Sequence, residues 1–171
     1  MSLPLMAEGE FALVKQHLEK AFRTPTQLTA WGSAGLEHDL YALAAEAAAQ
    51  QRDAAALRQY APLAEEAATR LGHKLYQAIA HRAWGVLHWL VGEYAESEAR
   101  LNRALELFRG LDTRWQIGRT LFELGELAAA RRDIAGARDY FARALAAFEA
   151  LRAAPDAERT RSALASLSAF D

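Results

Sequence analysis

The sequence has no cysteine, and its 171 residues include only four prolines and ten glycines. The lack of cysteine excludes disulfides, thiolate catalysis and cysteine-ligated zinc. No run of about 18 apolar residues is present, so no membrane-spanning helix is expected. The net charge is −2, so the sequence lacks the basic excess that nucleic-acid binding usually requires. These absences predict a cytoplasmic protein that binds neither nucleic acid nor membranes.

The composition favours helices throughout the chain. Hydrophobic residues make up 52% of the sequence, and about 40 of the residues are alanine, the strongest helix former. No window shows the sustained alternation of β-branched and polar residues that is typical of strands. The sequence therefore predicts an all-α fold, with residues 1–171 forming a single domain.

Small, apolar and acidic residues recur at intervals of 40 positions. The series are Ala64, Ala104 and Ala144; Leu71, Leu111 and Leu151; Ala45, Gly85 and Gly125; and Asp53, Glu93 and Asp133. Repeats of 20–50 residues indicate stacked helical units. The acidic series is expected at the start of each second helix, where it complements the helix dipole. The glycine series is expected where two helices approach closely, because glycine otherwise weakens a helix.

The repeats divide the chain into helix pairs. Three complete repeats are predicted at 38–77, 78–117 and 118–157, and the first helix of the middle repeat is expected at about 73–91. Residues 7–23 resemble a second helix without its partner, and 158–171 resemble a first helix that caps the array. The layout comprises about eight helices.

The motifs of these repeats resemble those of the tetratricopeptide repeat. The middle repeat carries the resemblance in Trp84-Gly85, the Gly92-Glu93-Tyr94 turn, Leu101 and Ala104. Its 40-residue period is similar to the repeats of bacterial LuxR-type regulators and kinesin light chains. The resemblance implies a right-handed α-solenoid of antiparallel helix pairs, whose concave surface is lined by the first helices and binds proteins or peptides.

The resemblance also implies which residues would line that concave surface. The expected partner-binding residues are Glu46, Ile79, Arg82, Val86, Trp89, Leu90, Arg119, Phe122 and Glu126, flanked by Asp39, Ala42, Ala49 and Ala129. Family members that clamp a chaperone's terminal carboxylate use asparagine at sites that here hold Glu46, Val86 and Glu126. No chaperone carboxylate clamp is therefore expected.

Two features of this surface allow alternative interpretations. Trp89 and Leu90 form an apolar pair that either contacts a partner, such as an amphipathic helix or a second copy of the chain, or belongs to the core. The charged side chains either orient a partly basic partner or form weak solvated ion pairs. These side chains are Glu46, Arg82, Arg119, Glu123 and Glu126.

The sequence offers no convincing catalytic or metal site. His81 and His88 lie two helical turns apart with Trp84 between them, a spacing that favours helix packing over zinc binding. Glu37-His38-Asp39 has no second His–Asp pair with which to hold a metal. Neither a phosphate-binding glycine loop nor a G-x-S-x-G nucleophile elbow is present. We therefore expect no catalytic residue, metal or cofactor.

The sequence thus predicts a non-catalytic protein- or peptide-binding module that serves as an adaptor or regulatory scaffold in signalling. The alternatives are a structural module that forms homo-oligomers, such as a homodimer, and a fragment of a larger transcriptional or signalling regulator. The homo-oligomer alternative depends on the unpaired helix expected at each end of the array.

Overall fold

A computed structural model describes residues 33–167 and Gln16, with side chains from His38 onward. Seven α-helices and no strand occupy this part of the chain. They are α1 (Ser33–Gln51), α2 (Ala54–Arg70), α3 (Lys74–Leu90), α4 (Tyr94–Gly110), α5 (Arg114–Ala130), α6 (Ile134–Ala150) and α7 (Ala154–Leu167). The array of helix pairs expected from the sequence is confirmed, with α1, α3 and α5 as first helices. Of the half repeat predicted at 7–23, only Gln16 is among the described residues, so this prediction is not tested.

Each 40-residue repeat consists of two 20-residue halves of the same design. Helices α2 to α6 have 17 residues each, and every turn places one residue in the left-handed region. These left-handed residues are Arg52, Gly72, Gly92, Asp112, Arg132 and Arg152. In each turn the next amide donates to a carbonyl five residues back, as from Asp53 to Ala48 and from Glu93 to His88. This is the Schellman arrangement, which satisfies the last carbonyl groups of a helix.

Aspartate caps the second helix of two repeats. The Asp53 carboxylate accepts a hydrogen bond from the Ala56 amide at 3.0 Å, and Asp133 accepts one from Gly136 at 2.9 Å. Glu93 makes no such cap. The acidic series therefore marks the helix starts as expected, and two of its three members act through hydrogen bonds.

The two mid-helix glycines allow bulky side chains to approach the backbone. A Cβ atom on Gly85 would lie 2.6 Å from Leu101 Cγ, and one on Gly125 would lie 2.6 Å from Phe141 Cδ1. Leu101 and Phe141 are both buried. The close helix approach predicted from the glycine series is confirmed.

The core changes in character along the array. Around α1 to α3 it is built largely from alanine, including Ala45, Ala61 and Ala83. Around α5 to α7 it contains larger side chains such as Leu124, Phe141 and Phe148, and Trp89 packs against both parts. Among the described residues, no helix has the length and apolar character needed to cross a membrane.

Candidate functional site

The first helices of the array carry a network of paired charges. We call the surface formed by α1, α3, α5 and α7 the first-helix face. Four carboxylates and four guanidinium groups meet there. They are Glu46, Glu123, Glu126 and Asp156, and Arg52, Arg82, Arg119 and Arg159. This charge network is electrically balanced and spans all three repeats.

Arg82 joins the first repeat to the third at the centre of the network. Its side chain is 1% exposed and donates to the Glu46 carboxylate. It also donates to the Gln116 carbonyl at 3.2 Å and to the Thr120 hydroxyl at 3.4 Å. Burial alone would raise the pKa of Glu46, but the charges of Arg82 and Arg119 outweigh it and hold that pKa below its usual value.

Arg52 crosses the first-helix face from the turn after α1. Its Nη2 atom lies 2.7 Å from Glu123 Oε2, and the same nitrogen contacts the Glu126 carboxylate. The guanidinium carbon lies 4.9 Å from the Trp89 ring centroid, in cation–π geometry. Burial lowers the pKa of Arg52, and the Glu123 carboxylate opposes that shift. Arg52 therefore ties the turn between α1 and α2 to the middle of α5.

Arg119 is the most poorly satisfied of the buried cations in the network. It is 3% exposed, and its nearest carboxylate oxygens belong to Glu123, at 3.9 Å, and Asp156, at 4.0 Å. Its Nε atom has no hydrogen-bond partner in the described part of the chain. Burial lowers the pKa of Arg119 to about 10, against the opposing attraction of Glu46. The charged groups of the first-helix face are therefore paired with one another inside the protein.

The expected open groove is therefore not found at most of the predicted positions. Six of the nine predicted partner-binding residues are buried, because side chains from neighbouring repeats pair and pack with one another. These six are Glu46, Ile79, Arg82, Val86, Arg119 and Phe122. Trp89, Leu90 and Glu126 are partly exposed. Of the flanking residues, Asp39 is exposed, Ala129 is partly exposed, and Ala42 and Ala49 are buried.

The charged residues of this face form largely buried pairs, not the weak solvated ion pairs that were one of the two expectations from the sequence. The sequence interpretation missed Arg52, Asp156 and Arg159, which complete the balance. Arg159 follows Arg119 by one 40-residue step, and this register was a signal that could have revealed it. Its guanidinium carbon lies 4.3 Å from the Phe122 ring centroid, and Nη2 lies 3.9 Å from Glu126.

Beside the buried network, the end of α3 presents an accessible apolar surface. Trp89 and Leu90 are partly exposed, and Val91 and Tyr94 are 41% and 39% exposed. We call these four residues the Trp89 edge. It lies where the first helix of the middle repeat turns into the second, next to the Arg52 guanidinium. Exposed apolar side chains grouped in one short segment are a feature of many contact sites.

The histidines of α3 support packing. Trp84 and His88 stack with ring centroids 5.5 Å apart, and His88 Nδ1 lies 2.5 Å from Glu93. His81 lies 3.0 Å from Arg100, and its pKa is lowered by burial and by the Arg100 charge. Within residues 33–167, no three histidine or acidic side chains are grouped so as to hold a metal ion.

His38, from the Glu37-His38-Asp39 sequence, lies in a small aromatic cluster. Its ring meets that of Tyr76 edge to face, with centroids 4.7 Å apart. Its Nε2 atom lies 3.5 Å from Asp39. The Tyr76 hydroxyl in turn donates to Asp39. This cluster joins the start of α1 to the start of α3.

The comparison with known protein families agrees with this architecture. Residues 76–150 match the family model of the tetratricopeptide repeat. The match covers most of α3 and all of α4, α5 and α6. The helices outside it follow the same 20-residue spacing. No curated protein matches the chain.

Proposed function

We propose that this chain is a non-catalytic module that binds a protein or peptide partner, because residues 76–150 match the tetratricopeptide repeat, a fold that generally mediates protein–protein interaction. In this role it serves as an adaptor or regulatory scaffold. The internal pairing of the charged groups on the first-helix face supports a structural role for them, since each carboxylate there has an arginine partner.

The partner contacts the Trp89 edge. The observation that carries this assignment is the exposure of Val91 and Tyr94 directly beside partly exposed Trp89 and Leu90. Tryptophan and tyrosine dominate the energetics of many interfaces because they bury a large area with little loss of side-chain entropy. Trp89 is also held in place by both core clusters and by Arg52. A rigid, accessible aromatic group of this kind can bind a partner without prior rearrangement.

The buried part of the first-helix face contributes indirectly. A partner that reached Arg82 or Glu46 would have to break a pair that is almost wholly buried. Breaking such a pair is costly, because it leaves an uncompensated charge in a low-dielectric site. The charge network therefore positions Trp89 through Arg52, and Glu126 at its margin remains accessible to the partner. An amphipathic helix fits the requirement for apolar contacts along one short edge.

Site-specific photo-crosslinking tests this assignment. Val91 is replaced by a benzophenone amino acid, and the purified chain is irradiated in a lysate of the source organism. The matched control carries the same amino acid at Gln59, an exposed position on α2 away from the edge. We expect a distinct crosslinked protein from position 91 that is missing from position 59. Identical products from the two positions, or products from position 59 alone, would refute the assignment.

Light scattering and the crosslink at position 91 together test self-assembly. The outward residues of α7, such as Glu158, Arg161 and Ser162, are polar and exposed, and a polar outer surface is typical of the cap of a repeat array. We therefore expect a monomer by light scattering over roughly a hundredfold range of concentration. A crosslinked dimer at position 91, with a concentration-dependent mass, would instead favour the homo-oligomer.

A further inference from the structure

A second exposed apolar feature lies at the opposite edge of the array. Leu71, Leu111 and Leu151 occupy the C-cap position of α2, α4 and α6. They are 46%, 39% and 40% exposed. We call these three residues the leucine row. Because the chain reverses direction at every turn, the row lies at the edge opposite the Trp89 edge.

The cap position itself does not require leucine. The corresponding residue at the end of α5 is Arg131, which is exposed and pairs with Glu98 at 2.6 Å. A polar residue therefore fits the same turn. Leucine at all three second-helix ends leaves apolar surface that a bound partner would remove from water. The repetition indicates that this edge has a role beyond ending the helices.

The turns of the leucine row also carry an excess of positive charge. Segments 69–74, 109–114 and 149–154 contain five basic and two acidic side chains. Both acids are paired, Asp112 with Arg114 at 3.7 Å and Glu149 with Arg161 at 2.7 Å. Four cations have no ion pair or side-chain hydrogen bond among the residues that the structure describes. They are Arg70, Lys74, Arg109 and Arg152.

The opposite edge is electrically different. Its corresponding segments, 49–54, 89–94 and 129–134, contain three basic and three acidic side chains. The basic excess is thus specific to the edge that bears the leucine row. Each leucine has an unpaired arginine within two positions, namely Arg70 beside Leu71, Arg109 near Leu111 and Arg152 beside Leu151.

We propose that the leucine row and its four unpaired cations form a second docking site, which binds an acidic amphipathic helix of a partner protein. The apolar side of such a helix covers the leucines, and glutamate or aspartate at its flanks pairs with the arginines. A strand is a poorer occupant, because the described residues contain no sheet edge to which it could add. The charge sets the orientation and rate of binding, while the leucines supply the buried area.

Selection from a phage-displayed library of helix-forming peptides tests the proposal. We expect peptides selected on the wild-type chain to include a class that combines acidic residues with leucine-type residues at helical spacing. Synthetic members of that class should bind at least about tenfold more weakly to the triple variant Leu71→Ser, Leu111→Ser, Leu151→Ser. They should be weakened similarly by Arg70→Gln, Arg109→Gln, Arg152→Gln, and more so in high salt.

Three controls make the result decisive. The variant Val91→Ser, Tyr94→Ser alters the Trp89 edge and should retain binding of this peptide class. Circular dichroism should be unchanged in both triple variants, because the altered side chains are exposed. Anionic phosphatidylserine vesicles should not bind. The proposal is overturned if no acidic class is selected, if the triple variants bind like the wild type, or if the vesicles bind through the same residues while the peptides do not.

Discussion

Arg52 Nη2 lies 2.7 Å from Glu123 Oε2, although Arg52 lies between the two helices of the first repeat and Glu123 lies inside the third. The contact passes over the α3 helix and places the guanidinium against Trp89. Arg52 achieves this from a left-handed backbone conformation with φ 54°. The Arg52 side chain thus links the first repeat to the third and also contacts the tryptophan of the candidate binding edge.

Replacing Arg52 by glutamine is expected to destabilise the fold by about 2–3 kcal/mol, because buried Glu123 would lose its closest partner and keep only Arg119, at 3.9 Å. Urea unfolding measures this change. The double variant Arg52→Gln, Glu123→Gln should recover part of the loss. If the two substitutions simply add, Arg52 and Glu123 are not energetically coupled.

Replacing Arg52 by glycine should cost about 1 kcal/mol less than replacing it by glutamine, since glycine adopts positive φ without strain. The matched position Arg132 has φ 61° and lies exposed at the equivalent turn of the third repeat. Arg132→Gly should therefore be neutral or stabilising in the same urea assay. A destabilising Arg132→Gly would show that the turn itself requires arginine.

The Glu46 carboxylate is expected to make folding depend on pH in the acidic range. Its pKa is lowered in the folded protein, since Arg82 and Arg119 outweigh the opposing effect of burial. Its contribution is therefore present above the unfolded pKa of about 4.5 and is lost as pH falls through the folded value. Glu46→Gln should be less stable at neutral pH, and its stability should fall less steeply with acid. Parallel curves of unfolding free energy against pH for the two proteins would contradict this account.

The Tyr76 phenol should lose its proton at a higher pH than an ordinary tyrosine. Burial, together with the hydrogen bond to Asp39, raises its pKa to about 12. The associated stability is fully present below the unfolded pKa of about 10 and is lost as pH rises towards 12. Ultraviolet absorbance of the phenolate, compared with that of Tyr76→Phe, measures the shift. Asp39→Asn should lower the Tyr76 pKa, and an unchanged titration would refute the role of Asp39.

The close approach at Gly125 makes it intolerant of a larger side chain. Gly125→Ala should destabilise the protein by about 1–3 kcal/mol, because the added Cβ would meet the Phe141 ring at 2.6 Å. Gly110→Ala is the control, since nothing lies within 4 Å of the Cβ position there. The helix-propensity gain should make that change neutral or stabilising. Equal effects in thermal unfolding would show that steric contact is not the cause.

The helices and their close contacts could be predicted from the sequence because they depend on local signals. The 40-residue register placed Gly85 and Gly125 against the next helix, and it placed Asp53 and Asp133 at helix starts. Each of these relationships involves residues in one helix pair. A period of 40 therefore carries enough information to predict them.

The closure of the first-helix face could not be predicted in the same way. The contacts of Arg52 with Glu123 and of Arg82 with Gln116 join different repeats. They depend on the curvature that accumulates over several helix crossings, which no single repeat encodes. The sequence interpretation therefore placed Arg82 and Arg119 in an open groove. Their long side chains instead reach carboxylates on neighbouring helices and become buried.

The most direct test of the central claim is the affinity of the crosslinked partner for purified variants of the chain. We expect the double variant Val91→Ser, Tyr94→Ser to raise the dissociation constant at least about tenfold, because it removes exposed apolar contacts beside Trp89. Gln59→Ala should leave the constant unchanged. Equal affinity of the wild type and the Val91→Ser, Tyr94→Ser variant would contradict the claim that the Trp89 edge is where this module binds its partner.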